Sequence, residues 1–305
     1  MARIGNSELD VHPLSLGGNV FGWTADEEHS FAVLDAYAAA GGNFVDSADR
    51  YADGQSETII GRWLDSRGRR DDFVVATKVG AGTKFPGLKP DTIRAAAEAS
   101  LRRLGADRID LYYTHVDDPE VPVEEIITAL DGLVKAGKVR AIGASNISPE
   151  RLAASLDFSE REGLARYEIL QPHYSLVERA EYEGPLLDLV AARGLSAAPY
   201  FALAAGFLTG KYRPDAEAVV SVRASRAAAY LEQERGPKVL AALDEVAAAH
   251  GVEPASVALA WLAAQPTVVA PIASARTVEQ LPALLAFVDL KLTGEEIAAL
   301  TAASA

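Results

Sequence analysis

Eight short apolar runs, separated by longer segments of helical period, constrain the fold of this chain more than any other feature. The predicted strands are Leu14–Gly17, Phe44–Asp46, Phe73–Lys78, Ile109–His115, Val139–Ser145, Ile169–Gln171, Leu195–Tyr200 and Val268–Pro271. Between them, apolar residues recur at steps of three and four, as in Thr92–Leu104, Val123–Ala136 and Pro237–His250. Alternation of strand and helix predicts a parallel sheet with helical crossovers.

Nothing in the sequence marks a domain boundary. The 305 residues suffice for one closed barrel or two ordinary domains, and no Pro-rich linker, charge block or low-complexity run divides them. We therefore predict an α/β fold, a single (β/α)8 TIM barrel domain over residues 1–305, with an N-terminal β-hairpin at Arg3–Ile4 and Leu9–Val11 and long loops at the C-terminal face. The stretch Gly206–Gly236 is too long for a simple connection and is expected to be functional.

Composition excludes several classes of function. The absence of Cys rules out Cys-based zinc modules, disulfide scaffolds and thiolate nucleophiles. A formal net charge of −14 disfavours a nucleic-acid partner. No apolar run approaches the roughly 18 residues of a membrane span, and the N-terminus has no apolar leader segment, which predicts a cytoplasmic protein. None of these counts bears on the oligomeric state, which stays open.

Polar residues at the predicted strand ends are the candidates for chemistry, because active residues of such barrels lie there. Asp46, Lys78 and His115 end the second, third and fourth strands, and Tyr51 follows the second in its loop. An ammonium beside a phenol favours the phenolate and lowers the Tyr pKa, which makes the phenol a better proton donor. An Asp beside the Lys keeps it charged, and a nearby His orients a carbonyl or relays a proton.

Each of these four residues also has a structural interpretation: a lysine reaching solvent, an aspartate capping a turn, a rim tyrosine and a core histidine. The four interpretations are nearly independent, whereas one chemical site accounts for all four positions. Farther along the chain, Ser145, Asn146 and Gln171 carry hydroxyl and amide groups suited to bind a carboxamide, and Tyr200 offers a ring for stacking.

Segments placed in order along nearly the whole chain resemble the aldo-keto reductase family. The matching segments are Phe44–Tyr51 with Gly54–Glu57, Ala76–Gly80, Asp110–Pro119, Gly137–Asn146, Gly206–Tyr212 and Ile272–Leu281. The set resembles NADPH-dependent bacterial members related to the potassium-channel β-subunit branch. Two sites depart from the family pattern, since Phe201-Ala202 replaces a common Ser-Pro and Ala283-Leu284 replaces a common Glu-Asn.

The resemblance implies an oxidoreductase that reduces an aldehyde or ketone to an alcohol by hydride transfer from NADPH. It implies a catalytic tetrad of Asp46, Tyr51, Lys78 and His115. Tyr51 would be the general acid, and Lys78, held by Asp46, would lower its pKa. His115 would orient the substrate carbonyl. The expected partner is therefore a small-molecule carbonyl compound, whose identity the sequence does not indicate.

The resemblance also implies that NADPH is bound extended, without a Rossmann fold. The implied cofactor-binding residues are Ser145, Asn146, Gln171, Tyr200, Phe201, Leu203, Gly206, Leu208, Gly210, Lys211, Ser274, Arg276 and Gln280. Among these, Lys211 is expected at the pyrophosphate, and Arg276 at the 2′-phosphate that distinguishes NADPH from NADH. Trp23 and Phe85, in the loops after the first and third strands, are expected to wall the substrate pocket.

Two other classes of function stay open at this point. A metal-dependent barrel hydrolase would use the ligand-like spacing of His115 and Asp118, but no second His ends a neighbouring strand, and we predict no metal. A non-catalytic or regulatory NADPH-binding barrel subunit, similar to the cytoplasmic β subunits of potassium channels, would keep the tetrad while serving a partner.

Overall fold

A computed structural model describes residues 1–213, 222 and 224–305. The N-terminal hairpin pairs β1 (Ala2–Arg3) with β2 (Asp10–Val11) in antiparallel register. The remaining strands of the described chain form one eight-stranded parallel sheet. They are β3 (Ser15–Gly17), β4 (Phe44–Asp46), β5 (Val74–Val79), β6 (Ile109–Thr114), β7 (Val139–Ser145), β8 (Tyr167–Gln171), β9 (Ser196–Ala197) and β10 (Ile272–Ala273).

The sheet closes into a barrel. Strands β3 to β9 pair in chain order, and β10 pairs with β3 on the other side. Backbone hydrogen bonds join the two ends: Ala197 N donates to Thr267 O at 2.8 Å, Val269 N donates to Ala197 O at 2.9 Å, and Ile272 N donates to Pro199 O at 2.9 Å. The predicted (β/α)8 barrel with an N-terminal hairpin is confirmed.

Helices cross over between the strands on the outside of the barrel. In the described residues they are α1 (Glu27–Ala39), α2 (Gln55–Arg67), α3 (Pro90–Leu104), α4 (Val123–Lys135), α5 (Pro149–Glu162), α6 (Pro185–Ala192), α7 (Ala224–Leu231), α8 (Arg235–His250), α9 (Pro254–Ala263), α10 (Leu281–Leu285) and α11 (Gly294–Ala303). Helix α5 begins with a side-chain cap: Ser148 Oγ accepts a hydrogen bond from Arg151 N, and Pro149 occupies the first helical position. No single helix among these is long and apolar enough to cross a membrane.

The core has two layers that follow from the alternation of side chains along each strand. One layer packs between the sheet and the helices and contains most of the large apolar residues. The other fills the barrel, where Phe44, Leu111 and Ile169 meet side chains from the hairpin, including Leu9 and Val11. The hairpin therefore closes one end of the barrel, and the opposite, C-terminal end is left for a site.

The seventh and eighth strands differ most from their predicted bounds, and proline is the physical reason. Regular pairing of the seventh strand ends at Ala197, and that of the eighth begins only at Ile272, since Pro199 and Pro271 have no N–H to donate to a ladder. Within the predicted run Val268–Pro271, Val268 makes an isolated bridge to Ala197. The predicted long stretch Gly206–Gly236 includes residues 214–221 and 223, which lie outside the described residues.

Candidate functional site

Alternation along the strands places one polar layer at the C-terminal end of the barrel. Inward side chains are apolar at Phe44, Ala76 and Ile169, which belong to the barrel core. The next inward position, two residues further along each of these strands, is polar. Across the barrel these positions are Asp46, Lys78, His115, Ser145, Gln171, Tyr200 and Ser274. The strand ends therefore bring together residues that are far apart in the sequence. Asp46 and Ser274, for example, are separated by 228 positions.

A buried ion pair lies at the centre of this layer. Lys78 Nζ donates to Asp46 Oδ2 at 2.6 Å and to Ser47 O at 2.6 Å. Gln171 Nε2 donates to the other carboxylate oxygen of Asp46 at 2.9 Å. Lys78 is fully buried and Asp46 nearly so, so each charge depends on these partners rather than on water. The resulting network fixes where the ammonium group lies.

Tyr51 completes the group of four predicted residues. Lys78 Nζ lies 3.4 Å from Tyr51 Oη, and the ring of Tyr51 contacts that of His115 edge-on, with centroids 6.0 Å apart. Tyr51 begins a 3-10 turn, Tyr51–Gly54, that leads into α2. The structure thus brings Asp46, Tyr51, Lys78 and His115 together at one barrel mouth.

Electrostatics at Tyr51 differ from the expectation based on Lys78 alone. Burial raises the pKa of Tyr51 above its ordinary value, and the Lys78 ammonium opposes this without reversing it. Burial is the largest influence on Lys78 and would lower its pKa, but the charge interactions and hydrogen bonds with Asp46 and Tyr51 together outweigh burial, and the Lys78 pKa is raised. At neutral pH, Tyr51 is therefore a neutral phenol beside a charged ammonium.

His115 is neutral over the whole physiological range of pH. Burial, together with the positive charges of Lys78 and Arg50, lowers the pKa of His115 to about 2. Its Nδ1 is buried and has no hydrogen-bond partner among the described residues. A neutral imidazole donates from only one ring nitrogen, so His115 offers a hydrogen-bond donor without a charge.

A cavity of about 780 Å³ opens above these residues. Asp46, Tyr51 and His115 line it, and Lys78 lies buried beneath it. Most of the predicted cofactor residues line the same cavity. They are Ser145, Asn146, Gln171, Tyr200, Phe201, Leu203, Gly206, Lys211, Ser274, Arg276 and Gln280.

Several of these lining residues are held by one another. Tyr200 Oη donates to Asn146 Oδ1 at 2.8 Å, and Asn146 Nδ2 donates to Ser145 Oγ at 3.0 Å. Arg276 N donates to Gln280 Oε1 at 2.8 Å. The Tyr200 ring stacks on His173, with centroids 5.1 Å apart. The walls are therefore ordered by internal hydrogen bonds at both ends of the cavity.

Besides the buried Lys78, four predicted site residues do not line this cavity. Leu208 is fully buried in the core, and Gly210 ends the turn Ala204–Thr209 with a φ of 78°. Trp23 is 56% exposed. Phe85 lines a second cavity, of about 1040 Å³, between α2, α3 and the loop after β5.

The 780 Å³ cavity is also lined by residues that the sequence analysis does not predict. Asn19 follows β3 closely, so the strand-end rule would find it, and its Oδ1 accepts a hydrogen bond from Ser274 Oγ at 2.6 Å. Arg50 precedes Tyr51 and lines both cavities. Glu253, just before α9, also lines the 780 Å³ cavity, and nothing in its local sequence indicates this.

The metal-site alternative gains no geometric support. Within residues 1–213, 222 and 224–305, no group of three His, Asp or Glu side chains is arranged to hold a metal ion. Asp118 instead organises loops: its Oδ2 accepts from Leu88 N at 2.9 Å and its Oδ1 from Glu120 N at 3.2 Å.

Asp49, two residues before Tyr51, has an unusual environment that predicts a pH effect on stability. It is 8% exposed, and neither carboxylate oxygen has a hydrogen-bond partner among the described residues. Burial, reinforced by the charge of Glu57, raises the pKa of Asp49 to about 6. The native state therefore binds more protons than the unfolded chain between about pH 4 and pH 6, and stability falls as the pH rises through that window.

We expect Asp49→Asn to raise the free energy of unfolding by about 1–2 kcal/mol near pH 7.5, since the variant no longer buries an ionised carboxylate. Near pH 4 the gain should vanish. Urea unfolding followed by circular dichroism at both pH values measures the difference. The exposed neighbour Asp53 provides the control, as Asp53→Asn should leave stability unchanged. A gain for Asp49→Asn that is equal at both pH values would contradict the assignment.

Comparison with known proteins agrees with this geometry. A model of the Aldo/keto reductase family matches residues 13–305. Norsolorinic acid reductase stcV of Emericella nidulans is 34% identical over 306 residues, covering 95% of this chain and 77% of that protein. Aryl-alcohol dehydrogenase (NADP(+)) of Phanerodontia chrysosporium is 32% identical, covering 95% of this chain and 81% of that protein. Protein tas of Escherichia coli is 31% identical, covering 98% and 96%. The chain belongs to the aldo/keto reductase family of oxidoreductases.

Proposed function

We propose that this protein is an NADPH-dependent carbonyl reductase in which Tyr51 is the general acid. The observation that carries the proposal is the placement of the Tyr51 phenol 3.4 Å from the fully buried Lys78 ammonium. Asp46 and neutral His115, which line the 780 Å³ cavity, complete the arrangement. A charged lysine next to a neutral phenol, with a neutral hydrogen-bond donor beside it, suits protonation of a carbonyl oxygen.

The cavity fits a dinucleotide in size and in the groups it offers. Its volume lies within the range of about 300–1,000 Å³ typical of ligand sites. Lys211 and Arg276 line it and supply positive charge for phosphates. Gly206 has a φ of 94°, and its backbone lies close to the Lys211 side chain. A Cβ added at Gly206 would lie 3.6 Å from Lys211 Nζ. At Gly17 an added Cβ would lie 2.5 Å from Ser274 Oγ, so the close approach there requires glycine.

The protein side of the reaction follows from the four central residues. When bound, NADPH supplies the hydride, and the remaining chemistry is a proton transfer. Tyr51 Oη donates its proton to the carbonyl oxygen, and His115 donates a hydrogen bond to the same oxygen to orient it. Lys78 stabilises the phenolate that remains, and Asp46 and Gln171 hold the Lys78 ammonium in place. In the reverse direction, the phenolate accepts the proton of the alcohol.

Aryl carbonyl compounds are the first substrates to test. Two relatives are named a norsolorinic acid reductase and an aryl-alcohol dehydrogenase. Here aromatic side chains line the 780 Å³ cavity at Tyr51, Tyr200 and Phe201. We propose on this basis that the chain accepts aryl aldehydes and ketones. Trp23 and Phe85, which do not line this cavity, remain proposed walls of the substrate pocket.

Fluorescence titration with NADPH and NADH, followed by NADPH oxidation with a panel of aryl and aliphatic carbonyl compounds, tests the proposal. Saturable NADPH binding with turnover of at least one carbonyl compound supports a reductase. Tight NADPH binding without turnover of any of them would contradict it and favour the regulatory subunit. No binding of either nucleotide would overturn the cofactor assignment.

Arg276→Ala is expected to raise the dissociation constant of NADPH by roughly 10- to 10²-fold, the equivalent of losing one charge-assisted hydrogen bond to the 2′-phosphate. NADH has no such phosphate, so its dissociation constant should barely change and serves as the control. Fluorescence titration of both nucleotides gives the two ratios. An equal rise in the dissociation constants of NADPH and NADH would mean that Arg276 does not contact the 2′-phosphate.

A further inference from the structure

We infer that the buried ion pair of Arg103 with Glu57 positions Tyr51 against Lys78. The inference rests on the proposed function, because it assigns Arg103 and Glu57 as positioning residues for that reaction. Neither residue lines the 780 Å³ cavity. Both act through the two segments that carry the phenol and the ammonium.

Glu57, in the first turn of α2, is fully buried, and both of its carboxylate oxygens are engaged. Oε2 accepts from Arg103 Nε of α3 at 2.5 Å, and Oε1 accepts from Thr77 Oγ1 of β5 at 2.6 Å. Thr77 directly precedes Lys78 in the strand. One carboxylate therefore ties the strand that carries the ammonium to the helix that follows the Tyr51 turn.

The turn itself is strained. Ala52, Asp53 and Gly54 have φ values of 48°, 54° and 90°, in the left-handed region that non-glycine residues avoid. Such a conformation persists only where the surroundings hold it. A strained turn directly after Tyr51 therefore needs a support from outside its own sequence.

Arg103 supplies that support. A Cβ added to Gly54 would lie 2.6 Å from Arg103 Cδ and 2.7 Å from its Nε, so the Arg103 side chain lies directly against the backbone of the turn. Arg103 also donates from a terminal nitrogen to Ser100 Oγ at 3.2 Å, which fixes it on α3. With Glu57 on its other side, the guanidinium is held between α2, α3 and the turn.

The geometry assigns the pair a role in placement rather than in stability. A buried ion pair gains little stability over apolar residues of similar size. The separation of 3.4 Å between Lys78 Nζ and Tyr51 Oη is at the long limit of a hydrogen bond. A small outward shift of the turn would break this contact.

The test uses variants that loosen the support in different ways. Arg103→Met alone leaves Glu57 buried without its cation and is prone to unfold, so Arg103→Met/Glu57→Gln is the main variant. Gly54→Ala is the second, because its new Cβ pushes against Arg103 from the opposite side. We expect both to lower kcat with an aryl aldehyde by roughly 10- to 10²-fold, the scale of an ångström misplacement. NADPH affinity should stay unchanged.

A spectroscopic readout separates positioning from general damage. Ultraviolet titration of each variant, taken as the difference from the same variant carrying Tyr51→Phe, isolates ionisation of Tyr51. Moving Tyr51 away from Lys78 weakens both the burial that raises the Tyr51 pKa and the Lys78 interaction that lowers it, so the midpoint should move away from its wild-type value. Arg103→Lys, which retains a cation opposite Glu57, should recover part of both kcat and the midpoint.

Arg102 is the matched control, as it neighbours Arg103 on α3, is exposed and makes no ion pair within the described part of the chain. Arg102→Met should leave kcat and the Tyr51 midpoint unchanged. Folded Arg103→Met/Glu57→Gln and Gly54→Ala proteins with wild-type kcat and midpoint would overturn the inference. If the wild type binds NADPH but reduces no carbonyl compound, the proposed function fails, and the Tyr51 titration still decides the positioning role.

Discussion

Replacing Tyr51 with Phe is expected to lower kcat for carbonyl reduction by about 10²- to 10⁴-fold, the contribution of a positioned proton donor. The phenol oxygen lies 3.4 Å from Lys78 Nζ, and Tyr51 lines the 780 Å³ cavity. No other side chain in the described layer combines a transferable proton with this position, because His115 is neutral and its pKa is about 2. The ring of Phe keeps the edge-on contact with His115, so the shape of the cavity is conserved.

Stopped-flow and steady-state NADPH oxidation with an aryl aldehyde, together with NADPH fluorescence titration, measure the effect of Tyr51→Phe. NADPH affinity should be unchanged, because only the reacting group is lost. Tyr112→Phe is a matched control, since the Tyr112 hydroxyl is buried without a hydrogen-bond partner among the described residues. Turnover retained in Tyr51→Phe would exclude Tyr51 as the general acid.

Replacing Lys78 with Met is expected to lower kcat by about 10²-fold or more, within the range of general acid catalysis. Among the described residues, the ammonium is the only cation hydrogen-bonded to Tyr51, and it counteracts the burial that raises the Tyr51 pKa. Without it the Tyr51 pKa rises further, and the phenol becomes a weaker acid. Alcohol oxidation needs the phenolate, so its rate should rise only at a higher pH than in the wild type.

The pH profiles of reduction and oxidation, measured for wild type and Lys78→Met, test this sign. The single variant also leaves Asp46 buried without its cation, which costs about 3–5 kcal/mol. The variant Lys78→Met/Asp46→Asn removes both charges and separates loss of stability from loss of catalysis. If the folded double variant kept wild-type kcat and an unshifted profile, Lys78 would have no role in proton transfer.

The barrel and much of the polar layer can be predicted from the sequence, because side chains along a strand point alternately to its two sides. Phe44 and Asp46, or Ala76 and Lys78, lie on the same side of their strands, so an apolar inner layer is followed by a polar one at the strand ends. The prolines at 199 and 271 account for the two strands that differ most from their predicted bounds. Glu253 could not be found this way, because it reaches the cavity from a helix and not from a strand end.

The sign of the Tyr51 pKa shift also lay beyond the sequence. Adjacent Lys and Tyr side chains predict a lowered pKa, but burial acts in the opposite direction and is larger. Burial depends on which segments cover a side chain, and those segments are distant in the chain. The same holds for His115, whose neutrality comes from burial and from the charges of Lys78 and Arg50.

By itself the sequence determined the strand-and-helix alternation, the barrel and the residue types at the strand ends, because side-chain direction along a strand is a local property. Only the tertiary structure decided the distances and charges. It placed Gln171 on Asp46 across 125 positions of the chain, and it set Arg103 against the strained turn after Tyr51. Distance and burial are products of packing between remote segments, and a local pattern does not contain them.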